Sequence, residues 1–112
     1  MLKSENLNGV IVYEFDQKDK LNAVISEDLK EEVGRHFEKP GTKLILGLGN
    51  IAFIDSSGFG ALLSIMKKAK SNSGIFHIYN ITPDVMSLFR LLQLHNVFKI
   101  YDTREDCVKS LS

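Results

Sequence analysis

Tryptophan is missing from the 112 residues, and cysteine occurs once, at Cys107. A single cysteine cannot close an internal disulfide, which excludes the small disulfide-stapled folds of secreted proteins and fits a reducing compartment. Proline occurs only twice and glycine eight times, so the chain is neither collagenous nor of low complexity. What remains is the composition of an ordinary globular domain, with 44% apolar and 25% charged residues.

An excess of charge of one sign is also missing, because 14 basic residues balance 14 acidic residues. Nucleic acids and anionic membranes attract proteins through a basic excess, so we expect neither as a direct partner. The sequence contains no apolar run of about 18 residues that could span a bilayer. It also lacks the basic and then apolar order of a signal peptide. We therefore expect a cytoplasmic protein with one domain over residues 1–112.

Strand-like and helix-like patterns alternate along the chain. Runs of β-branched and aromatic residues predict strands at 9–15, 42–48, 75–79 and 97–101. The dipeptide Asn8-Gly9 is a hairpin signal and adds a shorter strand at 2–6. Apolar residues at helical spacing predict three helices, marked by Val24, Ile25, Leu29, Val33 and Phe37, by Phe59, Leu62, Leu63, Met66 and Ala69, and by Val85, Leu88, Phe89 and Leu92.

A short terminal helix around Cys107 completes the predicted set, and Asn22 or Ser26 could cap the first helix. Strands that alternate with helices imply right-handed crossovers between parallel strands. The predicted fold is therefore α/β, with a four- to five-stranded, mostly parallel sheet, an antiparallel N-terminal hairpin strand and about four helices.

A small polar motif, Asp55-Ser56-Ser57-Gly58-Phe59-Gly60, joins the apolar stretch 51–54 to the second helix. We expect this junction at the carboxyl end of the sheet, where open α/β folds place their ligand and partner sites. Asp and Ser are common helix caps, but a cap needs one such residue and here three stand in a row. A hydroxyl at a helix start is either a cap or a place for a phosphate.

Catalysis and nucleotide binding fit the motif poorly. A nucleophile elbow would have glycine two residues before the serine, whereas Ile54 and Asp55 occupy those positions. The glycine pairs at 47 and 49 and at 58 and 60 lack the third glycine of the dinucleotide fingerprint and the lysine of a P-loop. His36, His77 and His95 are interpreted as surface or core residues. We expect no enzyme, no cofactor and no metal site.

A receiver domain of two-component signalling is a minor alternative. It has this size and class and accepts phosphate on an aspartate at a strand end, as Asp55 could be. It also needs an acidic pair after its first strand to hold a metal ion. Glu14 and Asp16 are the nearest match, and they occupy the wrong place in the element order.

The segment LILGLGNIAFIDSSGFGALLSIMKKAK resembles the central segment of the anti-sigma factor antagonists, the founding members of the STAS domain class. In that family a strand and a loop lead to Asp-Ser-Ser/Thr-Gly-Leu-Gly, which opens a helix. Residues 55–60 keep this pattern, with Phe59 in place of the leucine. The later segment LFRLLQLHNVFKIYDT is similar to the family's third helix and last strand, so the resemblance covers nearly the whole chain.

The resemblance implies a partner-switching module. Unphosphorylated family members bind an anti-sigma factor, typically a serine kinase, and so free a sigma factor for transcription. The kinase phosphorylates the antagonist on the serine after the motif aspartate, and a serine phosphatase reverses the modification. Carried over to this sequence, Ser56 is the phosphorylation site, and Asp55, Ser57, Gly58 and Phe59 join it in partner binding. We expect a monomer or a weak dimer.

Two positions leave alternatives open. The family commonly has Gly-x-Leu-Asp before the first helix, and the matching stretch here is Asp19-Lys20-Leu21-Asn22, so Asn22 keeps the shape of the acid without its charge. Asn22 is therefore a partner-binding candidate that affects partner identity. Phe59 is either a core residue or an outward aromatic anchor. A STAS scaffold or sensor component that is never phosphorylated is the alternative function.

Overall fold

The structure is a computed structural model that describes residues 2–111. The strands are β1 Leu2–Leu7, β2 Val10–Phe15, β3 Asp19–Leu21, β4 Lys43–Gly47, β5 Ile51–Ile54, β6 Ile75–Tyr79 and β7 Ile100–Tyr101. The helices are α1 Ala23–His36, α2 Ser56–Ser71, α3 Pro83–Leu91 and α4 Arg104–Lys109, and a 3-10 helix, Leu94–Asn96, precedes β7. None of the helices within residues 2–111 has the length and apolar character needed to cross a membrane.

Five strands form the main sheet, in the order β1-β2-β4-β6-β7. β1 runs antiparallel to β2, and the other pairs are parallel. The predicted hairpin is confirmed, because Asn8 and Gly9 have φ of 53° and 86°, and positive φ at both residues is what a type I′ turn requires. The predicted α/β class, the mostly parallel sheet with its antiparallel first strand and the four helices are confirmed.

A second, two-stranded sheet was not predicted. β3 pairs in parallel with β5, and Leu21 lies opposite Ile54. The expectation that the polar motif follows the main sheet is wrong, because β4 ends at Gly47 and the chain turns before β5 begins. Asn50 stabilises this turn: its Nδ2 donates to the carbonyl of Phe15 at 2.7 Å. The motif therefore lies at the carboxyl end of the small sheet.

The two faces of the main sheet are covered by different helices. Alternate residues of a strand point to opposite faces, and this alternation divides the core. The larger cluster joins Leu44, Leu46, Phe76 and Ile78 of the sheet to Leu29, Val33, Leu62 and Phe89 of α1, α2 and α3. The smaller cluster joins Val10, Val12, Ile45 and Tyr79 to Cys107 and Leu111 at the α4 side. The motif belongs to the α1–α2 side.

Some predicted apolar positions are not core positions. Val24, Leu63 and Leu92 are exposed by 73%, 39% and 51%, although helical spacing grouped them with buried neighbours. The predicted strand at 97–101 is too long, since β7 contains only Ile100–Tyr101. Val97 instead closes the 3-10 turn, with its N–H donating to the carbonyl of Leu94 at 2.9 Å.

Candidate functional site

Two helix N-termini meet at the carboxyl end of the small sheet. Asn22 directly follows β3 and caps α1, with its Oδ1 accepting from the N–H of Ile25 at 3.1 Å. Asp55 directly follows β5 and caps α2, with its Oδ1 accepting from the N–H of Gly58 at 3.0 Å. Because neighbouring strands lie about 4.8 Å apart, the paired strands bring the two caps side by side. The sequence-predicted residues Asn22 and Asp55 thus belong to one site.

The capping interpretation of Asp55 is confirmed, and it also explains how the loop is held. The N–H of Asp55 donates to the carbonyl of Leu21 at 3.2 Å, and its carbonyl accepts from the N–H of Phe59 at 3.1 Å. One residue therefore ties β3, β5 and the first turn of α2 together. The alternative cap for α1, Ser26, is excluded, because Ser26 is buried and lies inside the helix.

Ser56 and Ser57 are the first two residues of α2, and both are exposed. Across residues 2–111, neither hydroxyl has a hydrogen-bond partner. Ser56 is the first residue of α2, and a helix N-terminus carries a partial positive charge of about half an elementary charge. The site therefore presents a free hydroxyl in a place that favours an anion.

The two glycines of the motif have opposite surroundings. A Cβ placed on Gly58 would lie 2.5 Å from Ile54 Cγ2 and 2.8 Å from Leu21 Cβ, whereas a Cβ on Gly60 would meet nothing within 4 Å. Gly58 is thus required for α2 to start close against the small sheet. Gly60 is not required by the packing, although glycine inside a helix is less stable than alanine by about 0.5–1 kcal/mol.

Phe59 is a core residue. It is 7% exposed, and its ring meets that of Phe89 edge-on, with centroids 5.2 Å apart. The interpretation of Phe59 as an outward aromatic anchor is therefore wrong. Gly58 is buried as well, so both residues support the exposed serines from beneath. Of the predicted partner-binding set, Asn22, Ser56 and Ser57 are exposed and Asp55 is half-buried.

Two exposed apolar residues beside the motif were missed by sequence reasoning. Val24 is 73% exposed in the first turn of α1, and Phe53 is 48% exposed on β5. Phe53 directly precedes the buried Ile54 on β5, and successive side chains of a strand point to opposite faces of the sheet, so Phe53 points away from the core. The sequence held one signal for the exposure of Val24. It lies two residues after the cap Asn22, in the first turn of α1, which extends beyond the packed part of the helix.

The structure gives other roles to the residues considered for nucleotide binding and for the metal site of a receiver domain. Gly47 and Gly49 are explained by packing, because a Cβ on either would lie within 2.6 Å of the side chain of Tyr79 or Asn80. Glu14 is on the α4 face of the sheet, where it accepts the Tyr79 hydroxyl at 2.8 Å. Among residues 2–111 there is no group of three His, Cys, Asp or Glu able to hold a metal ion, so the acidic site of a receiver domain is not found there.

His36, His77 and Cys107 pack against other parts of the fold. His36 is the last residue of α1, where its Nε2 lies 2.8 Å from the Tyr13 hydroxyl, and His77 packs on the ring of Tyr101. Burial raises the pKa of the Cys107 thiol to about 12, which keeps it protonated at neutral pH. His36, His77 and Cys107 thus belong to α1, β6 and α4, whereas Ser56 begins α2.

Comparison with known proteins identifies the family. The family model described as STAS domain matches residues 2–107. The chain belongs to the STAS domain family. The anti-sigma F factor antagonist of Paenibacillus polymyxa is 29% identical to this STAS domain over 68 residues, which are 61% of this chain and 58% of that relative.

Solved structures share the fold of this STAS domain. A crystal structure of a Thermotoga maritima protein has a TM-score of 0.88 at 24% identity and covers 97% of this chain and 92% of its own. The Bacillus protein SpoIIAA in its phosphorylated form has a TM-score of 0.73 at 17% identity and covers both chains fully, at 100% each. At these identities the likeness concerns the fold alone.

Proposed function

We propose that this STAS domain is an anti-sigma factor antagonist controlled by phosphorylation of Ser56. In its unmodified state it binds an anti-sigma factor serine kinase in the cytoplasm, and so releases a sigma factor for transcription. The kinase transfers phosphate to Ser56, which ends the binding, and a serine phosphatase restores the unmodified state. The domain itself is a binding module and not an enzyme.

The observation that carries the proposal is the exposed, unbonded hydroxyl of Ser56 at the start of α2. It directly follows Asp55 in the motif by which the sequence resembles the antagonists. The relative from Paenibacillus polymyxa bears the name of an anti-sigma F factor antagonist, and SpoIIAA has been solved in both an unphosphorylated and a phosphorylated form. These names support the same role here.

The surroundings of Ser56 suit a switch. Phosphate adds about −1.5 to −2 charges at neutral pH, and a helix N-terminus stabilises such a charge by about 0.3–1 kcal/mol. We therefore expect the fold to survive modification, with an unchanged circular dichroism spectrum. A partner fitted to the neutral hydroxyl would meet a dianion next to the Asp55 carboxylate. A coupling of about 1–3 kcal/mol lowers affinity about 5–150-fold.

The surface of this domain that binds the kinase extends from Ser56 over the exposed residues around it. Val24 and Phe53 supply exposed apolar contact area near the caps, and burial of apolar surface is the main driving force of most protein association. Asn22 supplies a neutral hydrogen-bonding group where the family commonly has an acid. Asp55 and Gly58 contribute by holding the loop in shape.

The direct test is phosphorylation in vitro. The protein is incubated with an anti-sigma factor kinase of the same organism and ATP, and the modified residue is located by mass spectrometry. We expect phosphate on Ser56, none on the Ser56→Ala variant, and normal modification of Ser57→Ala, which is the matched control. Binding of the kinase to the unmodified and the modified protein is then compared by calorimetry.

Phosphate on Ser57 alone, or on neither serine, would contradict the proposal. A chain that binds its partner equally well before and after modification would also do so. An unmodified chain with constant binding would instead support the alternative of a STAS scaffold or sensor component.

A further inference from the structure

The charges of this neutral chain are divided unevenly along it. Between Ser56 and Tyr101 the only acid is Asp84, and the bases are Lys67, Lys68, Lys70, Arg90 and Lys99. The α2 helix contains three of these lysines and no Asp or Glu. The C-terminal half of α2 therefore carries a local positive charge that the total of zero conceals.

An apolar groove lies on this basic part of α2. It has a volume of about 430 Å³ and is lined by Leu63, Met66, Lys67, Lys70, Ser71 and Val97. Leu63 and Val97 are exposed by 39% and 38%, so the groove brings together two of the exposed large apolar side chains of the structure. We call it the α2 groove. Its floor is apolar and its rim carries two ammonium groups.

The ammonium groups of the two rim lysines form no ion pair with residues 2–111. Lys68, which points to the other side of α2, pairs with Glu38 at 3.4 Å. Over residues 2–111, no carboxylate lies within ion-pair distance of Lys67 or Lys70. An apolar floor with unpaired cations around it is complementary to an apolar side chain with carboxylates on either side.

The shape of the α2 groove and the backbone of α2 favour a helix as the partner over a membrane or an extended peptide. The groove is a shallow, open depression that accepts one side chain at most, whereas a membrane-binding surface must project apolar groups into the lipid. The backbone of α2 is already hydrogen-bonded within the helix, so an extended peptide would leave its own backbone groups unpaired over the apolar floor. A helix satisfies its backbone internally and can place its side-chain ridges against those of α2.

We propose that the α2 groove is a second docking surface, which receives an acidic amphipathic helix of another protein. One apolar side chain of that helix enters between Leu63 and Val97, and Asp or Glu residues beside it pair with Lys67 and Lys70. Ser56 and Lys67 are eleven residues apart on α2, which is about 16 Å along a helix. The surface is thus separate from the phosphorylation site and does not depend on the function proposed for it.

The test uses a synthetic helical peptide of about 20 residues, with leucine on one face and glutamate on both flanks, titrated into the isotope-labelled full chain. We expect saturable NMR shifts at Leu63, Met66, Lys67, Lys70 and Val97, which weaken as salt is raised. K67E/K70E raises the Kd by about tenfold. K67Q/K70Q, which removes the charges without reversing them, gives a smaller loss.

The matched control reverses two exposed lysines elsewhere, in K18E/K39E, and it leaves the Kd unchanged. A peptide with lysine in place of glutamate should not bind. Equal binding of both peptides, or shifts confined to another surface, would overturn the proposal. It would also be overturned if the chain sedimented with vesicles of phosphatidylcholine and phosphatidylserine through these lysines, or if K67E/K70E abolished a self-association seen by light scattering.

Discussion

Gly58 and Gly60 are two residues apart, and alanine is expected to have opposite effects at these positions. At Gly58 the added methyl would overlap Ile54 and Leu21, and overpacking of this kind costs about 1–3 kcal/mol. At Gly60 the methyl enters open space, and the gain in helix propensity is about 0.5–1 kcal/mol. Urea unfolding of the two variants measures both changes.

The control for Gly60→Ala is Gly34→Ala, in the last turn of α1. A Cβ there would lie no closer than 3.9 Å to its nearest neighbour, the flexible side chain of Lys68. We expect both variants to be stabilised, and only Gly60→Ala to weaken capture of the kinase. Gly60 is exposed four residues after Ser56, whereas Gly34 is buried, so only a methyl group at Gly60 would obstruct a partner that docks over Ser56. Unchanged capture by Gly60→Ala would contradict this expectation.

Asp55 has a capping role that can be separated from its charge. Asp55→Asn keeps an oxygen that can accept from the N–H of Gly58, so the variant should lose little stability. Asp55→Ala removes the cap, which typically costs about 0.5–2 kcal/mol. Chemical denaturation distinguishes the two substitutions, and equal losses in both would show that the charge and not the cap matters. The kinase assay on Asp55→Asn then reports the effect of the carboxylate alone.

Among the secondary-structure elements, the small β3–β5 sheet has the largest influence on the site. Leu21 is fully buried, and its carbonyl accepts from the N–H of Asp55. Leu21→Ala is expected to cost about 2–5 kcal/mol, as for other buried leucines. It should also speed amide hydrogen exchange at Asp55 more than at Leu44 in β4. Unchanged exchange at Asp55 would mean that the loop is held without this sheet.

The sequence was sufficient for the elements whose pattern is strong and local. The hairpin at Asn8-Gly9, the buried strand 75–79 and the start of α2 all carry their own signals. β3 contains only Asp19, Lys20 and Leu21, and two charged residues out of three hide a strand from any hydrophobic pattern. Its pairing with β5 is a tertiary contact, so the location of the motif on a separate sheet could not be read from local residues.

The same contrast between local signals and tertiary contacts applies to the candidate site. The motif predicted the positions of Asp55 and Ser56 at the start of α2, because a cap and a helix start are local features. Val24 and Phe53 were missed, because periodicity shows which residues share a face and not whether another element covers that face. Phe59 was left open for this reason, and the contact with Phe89 of α3 decides in favour of the core.

At the scale of the whole molecule, we expect stability to depend on pH through His77. Burial, and next Lys99, lower the pKa of His77 below its ordinary value of 6.5. Its Nδ1 is buried and has no hydrogen-bond partner within residues 2–111. The unfolded chain then takes up a proton at a higher pH than the folded chain does. The free energy of unfolding is therefore expected to fall as the pH drops below about 6.5, until the folded state is protonated too.

Urea unfolding between about pH 8 and pH 5 measures this dependence, in the range above most carboxylate titrations. The variant His77→Gln should have a flatter profile over this range. His95→Gln, at an exposed position of the 3-10 helix, is the matched control and should behave as the unaltered protein. Parallel profiles for all three proteins would exclude His77 as the source.

The side-by-side caps of α1 and α2 have a consequence for how such proteins diversify. In the function proposed above, the acceptor Ser56 belongs to α2, and the exposed Asn22 and Val24 belong to α1, which is encoded some thirty residues earlier. If that function holds, substitutions at Asn22 and Val24 are expected to change which kinase recognises the protein without altering the acceptor. Duplicated copies in one cell would then diverge in partner choice and keep their signalling circuits separate.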